Sequence, residues 1–187
     1  MAAHRMAAHR LPPKSGRLLP LTVPLVVAAW GASVAVGASA TAGPLLFRIS
    51  LAVHVLSLTL GFGAVLLVDW HGFLWLLGRR GIHELGRLEH AARPVIWGGI
   101  AGLLASGALL HPAVTSGPTQ LKLAAVLILM VNGITIDPVI HQLRANPAET
   151  RFTELRRGTR LHMLVSMSLS QLCWWTAIIV GFMNALR

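Results

Sequence analysis

Five apolar runs, at residues 19–42, 46–78, 94–111, 118–142 and 160–186, leave little of this 187-residue chain for anything else. About 18 consecutive apolar residues suffice to cross a bilayer core of ~30 Å as a helix. Inside hydrocarbon every backbone N–H and C=O must be paired within the protein, which restricts spanning structures to helices and closed barrels. Runs of this length predict helices. The expected fold is therefore an all-α integral membrane protein with five transmembrane helices, a four-helix bundle over residues 46–186 plus one N-terminal helix. Composition agrees: 12% of residues are charged, against about 25% in soluble domains, and the mean hydropathy is +0.67.

The net charge of +10 does not indicate a nucleic-acid partner, because the basic residues sit between apolar runs and form no patch on a polar domain. They report topology instead. A polar leader, residues 1–18, carries Arg5, Arg10, Lys14 and Arg17 after the tandem repeat "MAAHRMAAHR". The 79–93 connection carries Arg79, Arg80, Arg87 and Arg93, and the 143–160 connection carries Arg144, Arg151, Arg156, Arg157 and Arg160. On the other side stand Arg48, Lys122 and Arg187, a bias of thirteen to three. That places the N-terminus inside and the C-terminus outside. The Ala, Gly and Arg bias is that of a GC-rich bacterium, so the expected location is the bacterial cytoplasmic (inner) membrane, with the lipid bilayer as the first partner. Segment 19–42 ends in "GASATAG", which offers signal-type cleavage after Ala40 or Ala42; its prolines and long leader favour a retained helix. Cys173, the single cysteine, allows no internal disulfide.

Polar residues inside such helices are expensive and usually functional. The stretch "HVLSLTLGFGAVLLVDWH", residues 54–71, contains His54, Asp69 and His71. His54 and Asp69 are fifteen residues apart, or roughly 22 Å along a helix, so they belong to opposite leaflets. The outer layer comprises His54, Lys122 and His111. His54 is a ligand, a proton carrier or an interhelical hydrogen-bonder; Lys122 faces the bundle or snorkels to the interface; His111 reads most simply as a loop residue. The inner layer comprises Asp69, His71, Asp137, His141 and His162, and is expected to be a wet interfacial belt at helix ends, as are Trp70 and Trp75. Pro94 and Pro118 suit first helical positions, and "GIHELGRLEHAARP", between the second and third runs, is polar and helix-compatible, a short surface connection. Met163 and Met167, one turn apart, offer soft ligands for Cu(I). Gly98, Gly99, Gly102, Ser106 and Gly107 permit close approach of another helix or of a flat cofactor. No Walker loop, nucleophile elbow, CxxC or zincin motif occurs, which argues against soluble-type hydrolytic chemistry.

With "LAVHVLSLTLGFGAVLLV" and "QLKLAAVLILMVNG" in place, residues 46–186 resemble a bacterial four-helix membrane superfamily that includes the membrane protoporphyrinogen oxidases and the copper-resistance D-type proteins. The resemblance rests on His54, with Ser57 and Phe62 after it, and on Lys122 within "QLKL". It implies a haem b protein, a membrane oxidoreductase acting on a porphyrin-like or quinone-like molecule. His54 would be the axial metal ligand. Lys122 would be the catalytic lysine, meeting a propionate, a substrate carboxylate or the other axial site, and His111 a further cofactor contact. The haem would occupy space beside small residues such as Gly61. Two rival readings stand beside it: copper handling through Met163, Met167 and His54 or His111, and a cofactor-free structural or accessory subunit. Self-association into a homo-oligomer is left open by the sequence.

Overall fold

A computed structural model describes residues 14–147 and 150–186. Its described residues form five α-helices: α1 (Lys14–Ser39), α2 (Pro44–Leu76), α3 (Ile82–Ala108), α4 (Gly117–Arg144) and α5 (Arg157–Ala185), with one 3-10 turn at Phe152–Glu154 and no strand. Four of them, α1, α2, α4 and α5, are long and apolar enough to cross a membrane. Large apolar side chains such as Leu25, Leu45, Leu172 and Phe182 are exposed along their lengths, a surface that water would penalise and lipid tails would not.

The helices run up and down as two tight antiparallel hairpins, α2–α3 and α4–α5, with α1 laid against α3 and α4. One end of the bundle, here called the basic end, holds the α2–α3 and α4–α5 connections with Arg79, Arg80, Arg151 and Arg156. The other, the far end, holds the α1–α2 and α3–α4 connections.

In the first hairpin, backbone meets backbone. A Cβ built on Gly99 of α3 would lie 2.6 Å from the Gly61 Cα of α2, and the Ser57 hydroxyl occupies the hollow left by Gly102. In the second, Asn132 and Ser166 form a reciprocal pair: Asn132 Nδ2 donates to the Ser166 carbonyl at 3.0 Å, and Ser166 Oγ donates to Asn132 Oδ1 at 2.9 Å. Helix α1 is tied in by its own polar groups, Trp30 Nε1 donating to the Leu123 carbonyl at 3.0 Å and Ser33 Oγ to the Leu104 carbonyl at 2.7 Å.

Two expectations fail at the basic end. Pro94 is not a first helical residue, because α3 begins at Ile82 and runs unbroken through it. A proline in a helix interior removes one N–H and leaves the carbonyl four residues earlier, that of His90, without its helical donor; His90 and Pro94 lie on the exposed side. Trp75 is not an interfacial side chain either. It is 2% exposed, donates to the Thr150 carbonyl at 3.1 Å and takes the Phe152 ring edge-on at 5.3 Å. The 150–155 segment folds over it. Trp70 stays exposed.

Candidate functional site

The three far-end residues lie in one half of the bundle. Gly107 leaves the space that the His54 ring fills, with Cε1 3.3 Å from where a Cβ would stand. His54 Nδ1 is 3.0 Å from Ser106 Oγ, and that hydroxyl donates to the Gly102 carbonyl at 2.5 Å. The backbone of Leu103 supplies a second partner, and the Lys122 ammonium is near enough for its charge to act on the imidazole. Lys122 is half-buried and makes no ion pair or hydrogen bond among the described residues. His111, at positive φ, closes the far end instead: its Nε2 accepts from the Ala42 amide at 2.6 Å, and its ring stacks on Phe47 at 5.9 Å.

Haem b can be tested against this packing. An imidazole whose Nδ1 is held by a hydroxyl has the form of a metal-ligating histidine. The place expected for the haem, beside Gly61, does not accommodate it. The hollow beside Gly61 is taken by the Gly99 backbone and the Trp174 ring, at 3.3 and 3.6 Å from a Gly61 Cβ position. Ser57 fills the one at Gly102 and His54 itself the one at Gly107. The small residues of α2 and α3 serve helix contact, and they leave no slot for a macrocycle there. The copper set is likewise divided: Met163 and Met167 belong to the basic half, His54 and His111 to the far half. No group of three or more His, Cys, Asp or Glu side chains suited to a metal occurs among the described residues.

An open chamber does exist, in the basic half. It has a volume of about 390 Å³ and lies between the two hairpins, lined by α2, α3, α4 and α5 with Thr22 of α1 at its edge. Its size falls in the range of small-molecule sites, about 300–1,000 Å³. Two apolar clusters bound it, Val65, Ile100, Leu129 and Trp174 towards the middle of the bundle and Ile82, Leu143 and Met163 towards the basic end. Trp174 is 2% exposed and its indole N–H has no hydrogen-bond partner among the described residues.

Polar groups reach the chamber wall in two sets. On the α3–α4 side, Glu89 pairs with Arg93 at 2.8 Å and with Arg144, and Arg93 pairs in turn with Asp137. The Arg144 stem crosses α3 in the space that Gly86 leaves open. His141 adds a longer contact of 3.7 Å to Asp137 from the exposed side. On the α2–α5 side, Asp69 Oδ2 accepts from Gln171 Nε2 at 2.6 Å. His71, two residues on, points elsewhere; it is half-buried and its Nδ1 meets the Leu67 carbonyl at 2.9 Å. His162 is exposed as well.

The inner polar residues are therefore not all a solvated belt. Asp69 and Asp137 face a shared interior, whereas His71, His141 and His162 face outward. Sequence reading overlooked Glu89, Arg93 and Arg144 as site residues, although a signal was present. Ile82, Gly86, Glu89, Arg93, Ile96 and Ile100 recur at helical spacing, one stripe that passes through Pro94 without a break. Comparison of the chain with protein-family models, with curated proteins and with solved structures gives no match.

Proposed function

We propose that this is a five-span protein of the bacterial inner membrane, N-terminus inside and C-terminus outside, that binds a small, largely apolar molecule in the chamber between its hairpins. The chamber carries this reading. It combines an apolar lining with a few converging polar groups, as ligand sites do, among them Asp69 and Asn132. The orientation rests on the thirteen basic residues that share one side, and the fifth span on α3, whose apolar part begins at Pro94. Redox chemistry on haem at His54 is not part of this proposal, since the packing around Gly61 opposes it; a flat, neutral, quinone-like molecule suits the chamber in size and apolarity.

Two measurements test it. A neutral apolar fluorophore should bind the purified protein in nanodiscs above the level seen with empty discs, and Ser170→Phe, which fills the chamber from α5, should remove that binding. Equal binding to both proteins would place the fluorophore elsewhere and end the proposal. A periplasmic-type reporter fused after Arg187 should be active; activity of a cytoplasmic reporter there would overturn the orientation or the span count.

A further inference from the structure

Five ionisable side chains of Asp, Glu and Arg line the chamber: Asp69, Glu89, Asp137, Arg93 and Arg144. Four of them close on one another, since Glu89 meets both arginines and Arg93 also meets Asp137. Two carboxylates thus balance two guanidiniums. Asp69 stands outside that circuit. Its partner among the described residues is the neutral amide of Gln171, which engages Oδ2 and leaves Oδ1 without a protein hydrogen bond. Three carboxylates against two guanidiniums give the chamber an excess of one negative charge when all are ionised, and that charge sits opposite the balanced set.

The neighbours of Asp69 on the wall are apolar or weakly polar: Gly72 and Val65 on its own helix, and Met167, Ser170 and Trp174 on α5. A carboxylate in such a place is costly unless a counter-charge joins it. The indole rings of Trp97 and Trp174 also line the chamber, and aromatic faces attract cations. Apolar walls, aromatic rings and one uncompensated carboxylate are together the complement of a lipophilic cation.

We propose that the chamber selects a lipophilic organic cation, such as a protonated amine on an aromatic or alkyl body, with its positive group at Asp69 and its apolar part against Val65, Ile100, Leu129 and Trp174. This rests on the chamber being a ligand site, and it names the chemistry of the occupant. Glu89, Arg93, Asp137 and Arg144 form a wall whose charges balance, so the net charge that attracts the cation is that of Asp69.

The test uses a matched pair of probes, tetraphenylphosphonium and tetraphenylborate, alike in shape and opposite in charge, with a short-chain quinone as the neutral probe. Binding to the full chain in nanodiscs is measured at pH 8, with empty discs subtracted. The phosphonium should bind more tightly than the borate by about tenfold or more, as one nearby charge in a partly dry site requires. Asp69→Asn keeps an acceptor for Gln171 and removes the charge, so it should abolish that preference while binding of the neutral probe is retained. Equal affinity for the two ions on the unaltered protein would overturn the inference without any variant. So would an undiminished preference in Asp69→Asn. In both cases the neutral probe would still bind, and the chamber would remain a site for uncharged molecules. If none of the three probes binds above empty discs, the chamber reading falls with the inference.

Discussion

Adjacent glycines on α3 give a direct measure of how closely the first hairpin is packed. A Cβ on Gly99 would stand 2.6 Å from the Gly61 Cα and 2.9 Å from both the Gly61 nitrogen and the Ser57 carbonyl oxygen. Ordinary contact begins near 3.4 Å, so Gly99→Ala forces α2 and α3 apart by the difference between 3.4 and 2.6 Å, about 0.8 Å. The atoms in the way are backbone, which cannot rotate aside as a side-chain tip could. Overpacking of this kind costs about 1–3 kcal/mol. Gly98, one residue earlier, meets nothing within 4 Å, so Gly98→Ala should bring only the conformational gain of alanine in a helix, about 0.5–1 kcal/mol. Both variants receive that gain, and it cancels in the comparison. Gly99→Ala should therefore unfold about 1–3 kcal/mol more easily than Gly98→Ala, read as the shift in midpoint when the purified protein is unfolded by denaturing detergent in mixed micelles. Identical midpoints would mean that α2 and α3 do not touch through their backbones, and the case against a haem slot at Gly61 would go with them.

Glu89→Gln should destabilise the protein by about 1–3 kcal/mol, since it strips two arginines of a shared, largely buried partner; Arg80→Ala, which breaks only an exposed pair with Glu84, should change it by less than about 1 kcal/mol, and equal effects in the same unfolding assay would refute the distinction. Trp30→Phe deletes the hydrogen bond to the Leu123 carbonyl, worth about 1 kcal/mol. Hydrogen exchange across residues 20–39 should then quicken by about fivefold, and unchanged exchange would show that α1 is held by other means. The visible spectrum of the purified protein is expected to lack a haem Soret band; a band that His54→Ala removes would restore the haem reading and demand a different packing of α2 on α3.

The helices themselves were legible in the sequence because their cause is local and repeated. Apolar residues in runs of this length have few ways to satisfy their backbones, so the all-α architecture and the existence of each helix follow from composition along the chain. Boundaries were less secure. Pro94 looks like a helix start, since proline is well tolerated there, and only the packed stripe from Ile82 to Ile100 carries α3 through it. Trp75 illustrates the same limit. An indole near a helix end usually anchors at the interface, but here the chain returns seventy-five residues later to cover it.

The sequence by itself determined that His54 needs a partner and that His54 and Asp69 belong to opposite halves of the bundle, because helix rise and the cost of burying a polar group are properties of one element. Which partners they meet was decided by tertiary structure. Ser106 lies 52 residues from His54, and Gln171 lies 102 residues from Asp69; no spacing along a helix encodes either meeting. The chamber belongs to the same category. Small residues on α2 and α3 could have admitted a flat cofactor or another helix, and their chemistry is identical in both cases. Close packing of that hairpin used up the space at Gly61 and Gly102, and the open volume appeared between the hairpins instead. Side-chain volume summed across four helices sets where a cavity falls, and that sum exists only once the helices are assembled.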